Sequence, residues 1–207
     1  MLIHPWDEAT RDEWRSVLDA VDFGQLVTAG HVDGFPVVVP THFAYDGDAT
    51  VLLHLARPNP AWRAIEADPH VVLALVADFA YVEAAWNAEP GTDPDLGVPT
   101  SYYTGVQLLC HAEVVDEPDE KAAILAVQLD RFEPDGSTRV TPGTNVESDR
   151  RQLPGIRGLR LHVEGVRAKM KYGGNKAADH RTEIADHLAE RDAPGDRAAR
   201  DHLLRRP

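Results

Sequence analysis

Three groups of residues in this chain carry the donors and rings that chemistry on an anionic or planar ligand needs. The first is Arg57, which follows the apolar run Val51–Leu55 and precedes Asn59 and Pro60. An arginine offers a planar fork of N–H donors, and the first amides of a helix point outward with the positive end of its dipole. Arg57 is therefore either an anion ligand at a helix start or a solvated residue beside an ordinary Pro-Asn-Pro turn. The second group is Arg167, Lys169 and Lys171, which alternate with Ala168 and Met170 and so fall on one face of an extended segment. These cations either pair with surface carboxylates, worth little each, or gather a phosphate or the electron density of a ring. The third group is Trp86 and, past the loop 88–99, Thr100 with Tyr102 and Tyr103. Such aromatics either clamp a planar ring or fill a subunit interface, where they are enriched.

The elements that must position these groups are mostly strands. Thr10–Val21 reads as an amphipathic helix with a capping box between Thr10 and Glu13. Gln25–Ala29 and Phe35–Ala44 read as strands around a turn at 31–34, where Asp-Gly is a strong hairpin signal. With Val51–Leu55 they are expected to form an antiparallel meander. Pro40 lies within the second of these strands and lacks a ladder donor, so an edge, a bulge or a ligand-facing break is expected there. A short helix should start at Pro60, with Asn59 as its cap, and stop at Asp68-Pro69. Strands are then expected at His70–Val76, at Asp78–Ala85 ending on Trp86, and at Val106–Val115. Pro118–Leu129 reads as a helix, and Phe132–Gln152 as a polar surface excursion. Ile156–Val166 alternates as a half-buried strand. A turn at 173–176 and a helix at Asp179–Ala189 follow, and Arg191–Pro207 reads as a charged tail, helical or disordered. The reading is a mainly β chain with flanking helices, one domain over 1–190 and a tail over 191–207.

Composition narrows the function. Acidic residues outnumber Lys and Arg by 34 to 21, a formal net charge of −13. Duplex DNA binding relies on basic residues that neutralise phosphates, so direct nucleic-acid binding is not expected. The single cysteine, Cys110, allows no internal disulfide and sits in an apolar strand pattern, as expected for a reducing cytoplasm. No apolar run approaches membrane-spanning length, and the first residues lack a signal-peptide pattern, so a soluble protein is expected. Phosphate-loop, dinucleotide and nucleophile-elbow motifs are absent from the sequence, and its ten histidines show no metal-ligand spacing.

Three stretches carry a family resemblance in their order and spacing: HLARPNPAWRAIEADPHVVLAL at 54–75, AYVEAAWN with GVPTSYYTGVQLLCHAEVV at 80–115, and GIRGLRLHVEGVRAKMKYGGNKAADHR at 155–181. Together they resemble the FMN-binding split-barrel proteins, in the branch described as PaiB-type negative transcriptional regulators. The resemblance implies a split β-barrel, a homodimer with pockets at the interface, and FMN as cofactor, with deazaflavin or haem as alternatives. It implies that Arg57 and the amides around Asn59 and Trp62, with His54 nearby, hold the phosphate. Val39, Pro40 and Thr41 would line the ring, and Trp86, Thr100, Tyr102, Lys169, Lys171, Asn175 and Lys176 would close the site, from the same or the partner chain. It implies a flavin-dependent oxidoreductase of unknown substrate, or else a non-enzymatic regulator or ligand-sensing dimer. No residue stands out as an obligatory acid or base. The segment 132–152 departs most from the family pattern.

Overall fold

Alternating burial runs along strands longer than their apolar runs. The protein is described here by a computed structural model covering Met1–Arg205. Its strands are β1 (Phe23–Val32), β2 (Phe35–His42), β3 (Ala44–Tyr45), β4 (Thr50–Ala56), β5 (His70–Val82), β6 (Thr100–Val115) and β7 (Ile156–Lys171). They form one antiparallel sheet in the order β2-β1-β5-β6-β7-β4-β3. The helices are α1 (Arg11–Ala20), α2 (Ala61–Ala67), α3 (Ala84–Asn87), α4 (Pro118–Phe132), α5 (Glu147–Gln152), α6 (Ala178–Arg191) and α7 (Asp196–Arg205). No helix among the described residues is long and apolar enough to cross a membrane.

Local chemistry accounts for several of these boundaries. The capping box forms as expected: Glu13 N donates to Thr10 Oγ1 (3.3 Å) and Thr10 N to Glu13 Oε2 (2.7 Å). The β1–β2 hairpin turns through Asp33 (φ 54°) and Gly34 (φ 86°), the paired left-handed geometry that favours Asp-Gly. β2 ends the strand order, and Pro40 sits opposite Gln25 on that edge, where a missing N–H costs no pairing.

Two expectations are corrected. The first three strands are not a meander, because β4 pairs with β7, from Thr50↔His162 to Ala56↔Ile156, and with β3. The outer edge of β2 carries Pro40, which offers no N–H to a further strand. The strands expected at 70–76 and 78–85 are one strand, β5, which continues through Asp78 to Val82. Asp78 takes a left-handed conformation (φ 51°), and His202 Nε2 bonds its carboxylate at 3.0 Å. Trp86 therefore lies on the single turn of α3 rather than at a strand end.

The backbone divides into two compact units, with β5, β6 and β7 each running from one into the other. The first unit holds Met1–Val17, Val76–Val106 and the chain from Arg167 onward. Its core is Ala80, Val82, Tyr102, Met170, Tyr172, Ile184, Ala185, Leu188, Ala199 and Leu203. The last two come from α7, so the chain beyond Arg191 contributes to this core; Arg206 and Pro207, the end of the expected tail, lie outside the described residues. The second unit holds Leu18–Leu75 and Gln107–Val166. Leu26, Val51, Leu53, Leu73, Leu108, Leu159 and Leu161 are fully buried in it. Its helix α2 approaches β1 so closely that a Cβ on Gly30 would lie 1.9 Å from the Ala64 carbonyl oxygen. The excursion expected over 132–152 begins within the last turn of α4 and ends in α5.

Candidate functional site

The sequence-derived candidates fall into two groups, one in each unit. Val39, Pro40, Thr41, His54, Arg57, Asn59 and Trp62 belong to the second unit. Trp86, Thr100, Tyr102, Lys169, Lys171, Asn175 and Lys176 belong to the first.

In the second unit β2 presents Val39, Pro40 and Thr41 on the sheet edge; Pro40 is exposed and Thr41 is buried, its hydroxyl donating to the His42 carbonyl at 3.0 Å. His54 lies on the β4 face opposite the buried Leu53 and Leu55, and its Nδ1 meets Gln128 Oε1 of α4 at 2.6 Å. Beyond β4 the chain turns into α2, and Asn59 Oδ1 accepts from Ala61 N (2.9 Å), a side-chain cap one residue outside Pro60. Trp62 is buried; its indole N–H donates to the Ala56 carbonyl (2.9 Å), and the Arg157 guanidinium lies 4.9 Å above its ring.

Arg57 is held more tightly than a solvated loop residue. Its Nε donates to the Pro154 carbonyl (2.7 Å), and its Nη2 to the Ile156 carbonyl (3.3 Å) and to Asp116 Oδ1 (2.9 Å). The other Asp116 oxygen accepts from Arg157 Nε (3.0 Å), and Arg157 also holds Glu66 (2.7 Å). Partial burial works to raise the Asp116 pKa, but the hydrogen bonds from Arg157 and Arg57 outweigh it and hold the carboxyl below its usual range. Lys121 is buried beside them and donates to the carbonyls of Leu153 (2.8 Å) and Ile156 (3.3 Å). Burial, then the charge of Arg57, pushes its ammonium pKa down. Sequence reasoning missed Asp116, Lys121 and Arg157; Asp116 stands 59 residues from Arg57, and no local pattern marks it as the partner.

In the first unit the aromatic candidates are packed inward. Trp86 is half-buried, stacked on His187 at 5.0 Å and 11°, with the Arg191 guanidinium 4.7 Å from its ring centre. Tyr102 is only 2% exposed and meets Tyr172 edge-on at 6.0 Å. Among the described residues its hydroxyl has no hydrogen-bond partner, and burial, with the Asp7 charge adding, pushes its pKa up to about 12. A Cβ on Gly173 would come within 2.8 Å of that hydroxyl.

The basic stripe on β7 divides by partner. Lys169 is buried against Asp7 (3.5 Å) and the Leu2 carbonyl (3.0 Å). Lys176 donates to the Asn87 carbonyl (3.2 Å) and lies 3.8 Å from Glu89, while burial pushes its pKa down. Asn175 is exposed in the intervening turn. Lys171 differs: half-buried, it donates to the Thr100 hydroxyl, and no carboxylate of the described residues lies within ion-pair distance of it. Burial and then the Lys169 charge push its pKa down, against a smaller opposing effect of the Asp7 carboxylate. An anionic or electron-rich group beside Lys171 would satisfy both an unused N–H and an unbalanced charge. Among the described residues no group of three His, Cys, Asp or Glu is placed to hold a metal ion. Cys110 is buried, its thiol pushed up to about 12 chiefly by burial, and is no nucleophile at neutral pH.

Residues 1–165 match the family described as "Putative FMN-binding domain". Among curated proteins, "Protease synthase and sporulation protein PAI 2" of Bacillus subtilis (strain 168) is 26% identical over 178 residues, covering 83% of this chain and 81% of that protein. Among solved structures, the FAD and haem binding protein from Mycobacterium smegmatis aligns with a TM-score of 0.61 at 21% identity, over 86% of this chain and 78% of its own. The flavocytochrome Anf3 from Azotobacter vinelandii aligns with a TM-score of 0.59 at 19% identity, over 82% and 75%. These structural likenesses are of fold: a split β-barrel with flanking helices.

Proposed function

The chain belongs to the family of putative FMN-binding domains, and on that premise we propose that it binds FMN and works as a flavin-dependent oxidoreductase. The observation that carries the reading is Lys171, a half-buried cation that bonds a hydroxyl and, among the described residues, has no carboxylate within ion-pair distance, Asp7 acting on it only from farther off. Burying a charge without a counter-charge costs stability, so such a lysine is kept where a ligand supplies the missing negative charge. We assign Lys171 to the electron-rich edge of the flavin ring. Thr100 holds the ammonium in place, and Lys169 and Lys176, already paired with Asp7 and Glu89, orient the strand and turn around it.

The phosphate we assign to Arg57 of a second copy in a homodimer, whose guanidinium plane is set by the carbonyls of Pro154 and Ile156, with Asn59 fixing the adjoining start of α2. The backbone of Val39–Thr41, on the sheet edge, supplies donors and acceptors for the ring's polar rim. When bound, FMN supplies hydride or electron transfer, and the protein supplies position and electrostatics. A homodimer accords with the same edge strand: Phe35 and Val38 on β2 are 73% and 50% exposed, apolar side chains that a second copy would cover.

The test is reconstitution of purified protein with FMN, a deazaflavin and haem, each followed by absorption after gel filtration. Retention of FMN at the expense of the other two is expected. Retention of haem or deazaflavin with no retained FMN would overturn the assignment.

A further inference from the structure

The structure assigns a task to Asp116, a residue outside the cofactor contacts named above. The inference rests on the proposed reading of Arg57 as the phosphate ligand. A guanidinium grips a phosphate best with two parallel N–H bonds, and at the outer end of Arg57 these come from Nη1 and Nη2. Nη1 has no protein partner among the described residues. Nη2 gives its hydrogens to the Ile156 carbonyl and to Asp116 Oδ1 (2.9 Å). With Asp116 in place, an arriving phosphate meets one available tine of the fork.

We propose that Asp116 is an internal competitor for the cofactor phosphate, and that two-pronged binding at Arg57 requires Asp116 to let go. Its second oxygen makes that exchange feasible. Oδ2 is bound by Arg157 Nε (3.0 Å) and Nη2 (2.9 Å), so a carboxylate that leaves Arg57 keeps a full ion pair with Arg157. Arg157 is itself fixed by Glu66 and by the face of Trp62, so it stays behind as the anchor. Arg57 and Asp116 are 46% and 47% exposed along their side chains, and ion pairs that open to water exchange at small cost. Arg57 is also held by the Pro154 and Ile156 carbonyls, so losing Asp116 leaves its plane where it is. Lys121, which shares the Ile156 carbonyl with Arg57, adds a second positive charge to the place the phosphate would enter. The consequence is a tempered affinity: the phosphate must displace the carboxylate, so FMN is favoured over riboflavin by less than Arg57 alone would give.

The test measures FMN and riboflavin dissociation constants for the wild-type chain, Asp116→Asn, Arg57→Ala and the double variant, with thermal melts to confirm folding. Asp116→Asn is expected to bind FMN about three- to five-fold more tightly and riboflavin unchanged, a gain no structural damage would produce. Asp116→Ala, which also removes the acceptor, should gain at least as much, and the gain should vanish in the double variant. Weaker or unchanged FMN binding in both Asp116 variants, with Arg57→Ala still weakening it, would overturn the competition while leaving Arg57 as the phosphate ligand. Unchanged FMN binding in Arg57→Ala would overturn both.

Discussion

Replacing Lys171 by Met should separate binding from stability. In the protein without ligand, Lys171 sits half-buried with a hydrogen bond to Thr100 and with Lys169 as a like-charged neighbour. Methionine loses that charge-assisted bond, a net contribution of about 1.5–3 kcal/mol, but it also removes a desolvated charge that Lys169 opposes and Asp7 offsets only in part. The two effects oppose each other, and unfolding in urea should shift by less than about 1 kcal/mol. FMN binding has no such compensation. A charge-assisted hydrogen bond is worth about 1.5–3 kcal/mol, so the dissociation constant should rise about 10- to 150-fold. Fluorescence quenching of FMN at equilibrium reads the affinity, and circular dichroism against urea reads the stability. Lys171→Arg, which keeps the charge, should recover most of the binding. Unchanged affinity in a stably folded Lys171→Met protein would refute the placement of the cation at the cofactor.

Other outcomes follow from buried contacts in each unit. Asp196 is 1% exposed and makes two bonds to Arg191 (2.6 and 2.8 Å), which hold its carboxyl below the ordinary range against the opposing effect of burial. Because its folded pKa is depressed, its contribution to stability is present above the unfolded value near 3.9 and is lost as pH falls through the folded pKa. Asp196→Asn should cost about 3 kcal/mol at neutral pH and flatten the acid limb of stability against pH, measured by urea unfolding from pH 7 down to 3. Leu203→Ala, at a fully buried position of α7, should cost about 2–4 kcal/mol in the same assay. A loss below about 1 kcal/mol would show that α7 adds little to that core. Gly30→Ala should cost at least about 2 kcal/mol, because its Cβ would lie 1.9 Å from the Ala64 carbonyl oxygen and push α2 off β1.

What was legible in the sequence was local. Thr10 with Glu13, Asp33 with Gly34 and the edge position of Pro40 each follow from a backbone donor or a dihedral angle that neighbouring residues decide. The continuity of β5 was hidden because Asp78 resembles a strand break; its left-handed conformation is tolerated, and His202 binds its carboxylate from 124 residues away. The pairing of β4 with β7 joins residues about a hundred positions apart, and the alternation of either strand alone does not name its neighbour. At the candidate site the residue types were visible and their partners were not. Lys169, Lys171 and Lys176 look equivalent in sequence, but Asp7 and Glu89 pair with two of them and leave the third with a hydroxyl. Tyr102 reads as a ring clamp in sequence, whereas β6 and β7 carry it into the core beside Tyr172.

The most direct test of the central claim is an equilibrium titration of the purified protein, stripped of any flavin it carries, with FMN, followed by fluorescence and by the flavin absorption band. Saturable quenching near one FMN per chain, weakened about 10- to 150-fold in Lys171→Met, is the result expected. A folded protein that leaves FMN fluorescence unchanged through micromolar and millimolar concentrations would contradict the account.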